Sequence, residues 1–69
     1  MTNPQIDEDG NEEWYNDTGE YHREDGPAIK DSDGYKAWYK NNNLHREDGP
    51  AQEFPDGCKL WFINGKYIQ

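Results

Sequence analysis

The seven residues His22-Arg23-Glu24-Asp25-Gly26-Pro27-Ala28 recur letter for letter as His45-Arg46-Glu47-Asp48-Gly49-Pro50-Ala51. These heptads belong to a longer periodicity. Asp-Gly stands at Asp9-Gly10, Asp33-Gly34 and Asp56-Gly57, at offsets of 24 and 23. Five residues after each Asp comes an aromatic pair: Trp14-Tyr15, Trp38-Tyr39 and Trp61-Phe62. A turn signal follows each pair, as Asp17-Thr18-Gly19, Asn41-Asn42 and Asn64-Gly65. The register divides the chain into repeats 9–32 and 33–55 and a partial repeat 56–69, with residues 1–8 read as a flexible acidic leader. A repeat of about 23 residues is one supersecondary unit, and such a unit buries its apolar face only against its neighbours.

Each unit reads as β-structure. Asn-Gly and its equivalents between aromatic strands supply the positive-φ positions of tight hairpin turns. Gly and Pro recur too closely for a helix to run through them. The expected fold is therefore all-β: a single twisted antiparallel meander of five to six strands built from β-hairpins. Outgoing strands are expected near residues 12–16, 36–40 and 59–63, and return strands near 20–30 and 43–54, with a sixth short strand at 65–69. Neighbours along a strand face opposite ways, so one member of each aromatic pair lines the buried side and the other a partly wet face.

A chain of 69 residues forms one domain at most, and at this size folding buries only about 60% of the unfolded surface. Apolar residues make up 30% of the chain, but three Trp, five Tyr and two Phe supply core area beyond their number, at roughly 150–250 Å² each. One cysteine, Cys58, excludes an intramolecular disulfide. The opening residues carry no basic-then-apolar leader and no apolar run has membrane-spanning length. The expected location is a reducing cytoplasm, the host's if a phage encodes the chain.

The layout of Asp-Gly, Trp-Tyr, Asn-Gly and a His-led Gly turn at a period of 23 resembles MORN repeats. The resemblance is closest to the variant carrying His-Arg-x-Asp-Gly-Pro-Ala found in bacterial, phage and large-virus proteins, and it covers residues 9–69. It implies a hairpin-repeat scaffold, in a family whose members mostly have no assigned activity. His-Arg-Glu-Asp-Gly-Pro-Ala replaces the His-Gly-x-Gly of ordinary MORN repeats, and a net charge of −8 argues against attachment to anionic lipid.

The heptad holds groups capable of acid–base work or phosphate binding. An active site, however, is one constellation, whereas these residues occur twice, one repeat apart. The expected role is structural: Asp-Gly-Pro sets a turn or bulge, with Asp accepting local backbone hydrogen bonds and Gly taking an unusual φ/ψ. The histidines are expected to bond across to a neighbouring repeat, and the arginines to acids of the adjacent copy. No cofactor or metal is expected. Asp7-Glu8-Asp9-Gly10 and Asp31-Ser32-Asp33-Gly34 resemble calcium-loop fragments, but Gln5 and Ile29 stand at the first ligand position and Asn16 and Lys40 where the closing Glu is required.

Charge is the remaining signal. Residues 1–33 hold eleven acids and two bases, whereas residues 34–69 hold four acids and five bases. The candidate partner-binding residues are Asp7, Glu8, Asp9, Glu12, Glu13, Asp17, Glu20, Asp31 and Asp33. Carboxylates held on a rigid sheet can occupy a groove made for phosphates, whose Lys and Arg respond to charge and position. The expected function is non-enzymatic binding to a basic protein surface, inhibiting a nucleic-acid-binding or defence protein by nucleic-acid mimicry. No direct nucleic-acid or membrane contact is expected. The alternative is an assembly module in which Leu60, Trp61, Phe62 and Ile63 form an apolar edge that pairs with a second chain in a two-fold dimer.

Overall fold

The computed structural model describes residues 5–68. Among these residues the chain is all-β, with no helix. Nine short strands form: β1 (Gln5–Ile6), β2 (Glu12–Glu13), β3 (Ile29–Lys30), β4 (Lys36–Ala37), β5 (Tyr39–Lys40), β6 (Asn43–Leu44), β7 (Gln52–Glu53), β8 (Lys59–Ile63) and β9 (Lys66–Ile68). Every pairing is antiparallel, and the main sheet runs in the order β1-β2-β3-β4-β7-β8-β9. Strands β5 and β6 form a separate hairpin.

Hairpin repeats are present as expected, but the strands are shorter and more numerous. The expected long strands divide where the chain passes Trp14, Trp38 or a heptad, whereas β8 runs unbroken through Trp61. The segment 36–40 splits at Trp38, whose N–H donates to the Ala51 carbonyl opposite it as the last bond on the β7 side, and β5 beyond it pairs with β6 instead. The segment 43–54 splits into β6 and β7, with the second heptad between them. The result is two tiers. One is the sheet of two-residue strands; the other is a row of three hairpins, marked by the Tyr15–Tyr21 bridge, by β5–β6 and by the upper half of β8 with β9. The leader also divides. Gln5–Ile6 is an edge strand of the sheet and Asp7 begins the first Asp-Gly turn, while residues 1–4 lie outside the described part.

The turns follow the sequence signals. Gly10, Gly34 and Gly57 have φ of 84°, 106° and 96°, the left-handed region that glycine enters at least cost. At the hairpin tips Asn41, Asn42 and Asn64 adopt φ of 50°, 70° and 50°, which asparagine tolerates better than most side chains.

The core is small. Among the described residues only Ala28, Ala37 and Ala51 are fully buried. They sit where the tiers join: Trp14 N–H donates to the Ala28 carbonyl, Ala28 N–H to Ala37, Trp38 N–H to Ala51, and Ala51 N–H to Leu60. Around this narrow seam the aromatics other than Trp61 and Tyr67 pack half-buried. Tyr15, Tyr21 and Tyr39 form a continuous stack with centroids 5.1 and 5.2 Å apart, while Trp14 and Trp38 face the heptads. The aromatic pairs thus divide between two faces, as strand alternation requires.

Candidate functional site

The two heptads have nearly identical geometry. Asn41 N–H donates to His22 Nδ1 and Asn64 N–H to His45 Nδ1, both at 3.0 Å, so each histidine accepts from the hairpin tip of the next repeat. An accepting Nδ1 places the ring proton on Nε2. This Nε2–H donates to Glu24 Oε2 at 3.3 Å and, in the second copy, to Glu47 Oε2 at 3.2 Å. Nδ1 therefore ties each heptad to the next repeat, as the sequence suggested, while Nε2 bonds within its own heptad.

The arginines differ from expectation. Each pairs within its own heptad: Arg23 Nε donates to Asp25 at 2.9 Å and Arg46 Nε to Asp48 at 3.1 Å. The local pair wins because the bends at 24–26 and 47–49 bring each Asp back against the Arg two residues before it. Each guanidinium lies 3.9 Å from a tryptophan centroid, Arg23 over Trp14 and Arg46 over Trp38. Each also donates to a proline carbonyl, Pro27 at 3.3 Å and Pro50 at 3.1 Å. Only Arg46 reaches further, donating to Glu53 at 3.3 Å.

The glycine role differs too. Neither Gly26 nor Gly49 has a positive φ. A Cβ on Gly26 would lie 2.9 Å from Arg23 Cζ, and one on Gly49 2.8 Å from Arg46 Cζ. The heptad needs glycine for space, because the guanidinium lies between the indole and this backbone. The heptad thereby sorts its charges. Histidine and arginine side chains are 13–24% exposed, whereas Glu24, Asp25, Glu47 and Asp48 are 78–88% exposed. An open groove of about 590 Å³ runs between the loops, floored by Trp38 and rimmed by these carboxylates. The Arg23 hydrogen bond and charge hold the Asp25 carboxyl below its ordinary range.

The predicted acidic residues do not form one row. Glu12 and Glu13 are neighbours in β2 and face opposite ways. Glu12 pairs with Lys30 in a cross-sheet row that continues through Lys36, Glu53 and Lys59. This face is of mixed charge. Glu13 occupies the other face, where Asp7, Asp31 and Asp33 converge with it. Asp31 records that convergence: desolvation, then the charges of Asp33, Glu13 and Asp7, push its carboxyl above the ordinary value. Tyr15 donates its hydroxyl to Glu13 at 2.5 Å, which raises the phenol well above its usual range.

Several of these acids also shape the turns. Asp7 accepts from the backbone N–H groups of Asp9 and Asn11 and from the Asn11 amide, all at 3.0 Å, and the Asn11 bonds lower its carboxyl. Asn11 in turn accepts from Ser32 N–H at 2.8 Å, tying the first Asp-Gly turn to the second. Asp33 accepts from Tyr35 N–H. Glu8 and Asp9 are exposed on the first turn, and Asp17 and Glu20 on the first hairpin, where Glu20 accepts from Asn16 and Thr18. Sequence reasoning missed Glu24, Asp25, Glu47 and Asp48 as surface acids. Their alternation with a stacked arginine was the available signal.

The apolar edge is also rearranged. Trp61, Phe62 and Ile63 pair with Ile68, Tyr67 and Lys66 of β9, so the third hairpin has its return strand. Of the four edge residues only Trp61 is exposed, at 46%; Leu60, Phe62 and Ile63 are half-buried. The neighbouring Asp56 carboxylate pushes the exposed Cys58 thiol up, which disfavours the reactive thiolate. Among the described residues no three His, Cys, Asp or Glu side chains are placed to hold a metal ion. Neither the family models, nor the curated proteins, nor the solved structures contain a match to this chain.

The acidic face carries a stability prediction. A carboxyl raised on folding opposes the fold at neutral pH, and this opposition fades as pH falls through the folded value. Asp31→Asn should therefore stabilise the protein at pH 7 by up to about 0.5 kcal/mol. The gain should shrink as Asp31 of the parent becomes protonated. Urea unfolding of both chains at pH 7 and in the acid carboxylate range checks this; destabilisation at pH 7 would count against the convergence.

Proposed function

We propose that this protein is a non-enzymatic binding module that docks its acidic face on a basic surface of another protein. The observation that carries the reading is the gathering of Asp7, Glu13, Asp31 and Asp33 on one face, with the Asp31 carboxyl raised by desolvation and then by these like-charged neighbours. A domain with so small a core gains nothing in stability from crowding these charges. Lys and Arg of a partner would relieve the repulsion and gain charge-assisted hydrogen bonds. The exposed Glu24, Asp25, Glu47 and Asp48 extend the negative surface on loops that their own arginines and histidines hold in place.

A surface that recognises phosphates by charge and position is the partner class such an array fits. Occupying it would exclude nucleic acid, so the effect is inhibition of a nucleic-acid-binding or defence protein in the cytoplasm. To test this, the immobilised protein is exposed to bacterial lysate, and retained proteins are released with rising salt or with duplex DNA. The expected result is retention of a nucleic-acid-binding protein, released by DNA, with at least tenfold weaker binding by the Glu13→Gln/Asp31→Asn/Asp33→Asn variant. Binding by this variant equal to the parent's at every salt concentration would overturn the proposal.

A further inference from the structure

The large exposed apolar residues of this structure lie at its two ends: Ile6 (64%) on β1, and Trp61 (46%), Tyr67 (54%) and Ile68 (44%) on β8 and β9. We infer that these ends fit each other, so that copies of the chain associate head to tail.

Strand β1 pairs with β2 as Gln5↔Glu13 and Ile6↔Glu12, the register of β3 on β4 and of β7 on β8. By register, β1 is therefore a strand of the β3 and β7 kind. Strands of that kind also pair on their other side, β3 with β2 and β7 with β4. Among the described residues nothing pairs with β1 on that side. The Lys59–Leu60 part of β8 is equivalent to β2 and β4, and it has only β7 beside it. Each end thus presents the strand type that the other end lacks.

The hairpin tier repeats the pattern. The return strand of each hairpin docks on the outgoing strand of the next: Arg23 N–H donates to the Tyr39 carbonyl and Asn42 N–H to Tyr21, then Arg46 N–H to Phe62 and Gly65 N–H to Leu44. Strand β9 is the third return strand, and the Tyr15 strand of a second copy is the outgoing strand it would meet. In that arrangement β1 of one molecule takes the place of β7, and β9 of the other takes the place of β6. The Phe62–Tyr67 contact at 5.6 Å would join the Tyr15–Tyr21–Tyr39 stack of the next copy, giving Tyr67 the neighbour that Tyr21 has in Tyr39. Charge favours the same contact: Lys59 and Lys66 lie at the β8–β9 end, and Asp7, Glu12 and Glu13 at the β1 end. Such an interface is heterologous, so it propagates into a chain of molecules or closes as a ring.

The test uses the 69-residue chain and two blocked variants, Ile6→Lys at the front and Tyr67→Lys/Ile68→Lys at the rear. All three substitutions are at exposed positions, and circular dichroism verifies folding. In sedimentation equilibrium the parent should grow beyond a dimer with concentration, each variant alone should stay monomeric, and their equimolar mixture should form a dimer that grows no further. A parent that is monomeric at several hundred micromolar would overturn the inference. So would a front-blocked variant that still dimerises, since that would mean two-fold pairing of the rear ends.

Discussion

Replacing Arg46 by alanine should lower the melting temperature by roughly 10–20 °C. The guanidinium sits 3.9 Å over the Trp38 ring and donates to Asp48, to the Pro50 carbonyl and to Glu53. A partly desolvated cation–π contact contributes about 1–2 kcal/mol, and the part-buried Pro50 carbonyl left without its donor costs about another 1 kcal/mol. The total is about 2–3 kcal/mol, against a whole-domain stability of roughly 3–10 kcal/mol at this size. In a domain of this length each kcal/mol shifts the midpoint by about 4–8 °C. Lysine should restore little, since an ammonium is neither planar nor forked. Arg23→Ala should cost less, because Lys30 stands where Glu53 stands in the second repeat. Thermal unfolding followed by near-ultraviolet circular dichroism reads the tryptophan environment and the midpoint together; a shift below about 3 °C would contradict the stacked geometry.

Ala51→Leu should be of similar size, about 3 kcal/mol, near the upper end of what overpacking a core costs. Ala51 is fully buried and carries backbone bonds in both directions, from Trp38 N–H and to the Leu60 carbonyl. The Ala51 side chain is 0% exposed, so three added carbons grow straight into packed neighbours. In an ordinary core a larger apolar residue buries more area. Here the fully buried positions of the described residues are three alanines, and volume is limiting. The urea midpoint should fall sharply for Ala51→Leu and only slightly for Ala51→Gly. An unchanged midpoint for leucine would mean that the seam has room.

Much of this architecture is legible in the residues. The positive φ of Asn41, Asn42 and Asn64 stands where the Asn-containing turns predict hairpin tips. The histidine bonds to the next repeat follow from its duplicated place one repeat apart. The splitting of the strands was not legible, because it depends on where the backbone leaves the ladder at an alanine whose smallness lets two tiers meet. The heptad glycine was also misread. Gly followed by Pro signals a turn, while the steric demand on Gly26 comes from an arginine three residues earlier that folds back onto it. The separation of Glu12 from Glu13 needed no structure, since period two alone places neighbours on opposite faces. The convergence of Asp7 and Asp31 with Glu13 did, because it requires the first and second Asp-Gly turns to lie side by side, joined through Asn11 and Ser32.

The central claim is that the duplicated heptad is a strap between repeats, with its histidines fixed and its carboxylates facing outward. Nitrogen-15 NMR of the labelled protein at neutral pH tests this most directly. The account predicts the Nε2–H tautomer for His22 and His45, with scalar couplings through the hydrogen bonds from Asn41 N to His22 Nδ1 and from Asn64 N to His45 Nδ1. Histidines that exchange rapidly between tautomers, with neither coupling present, would contradict it.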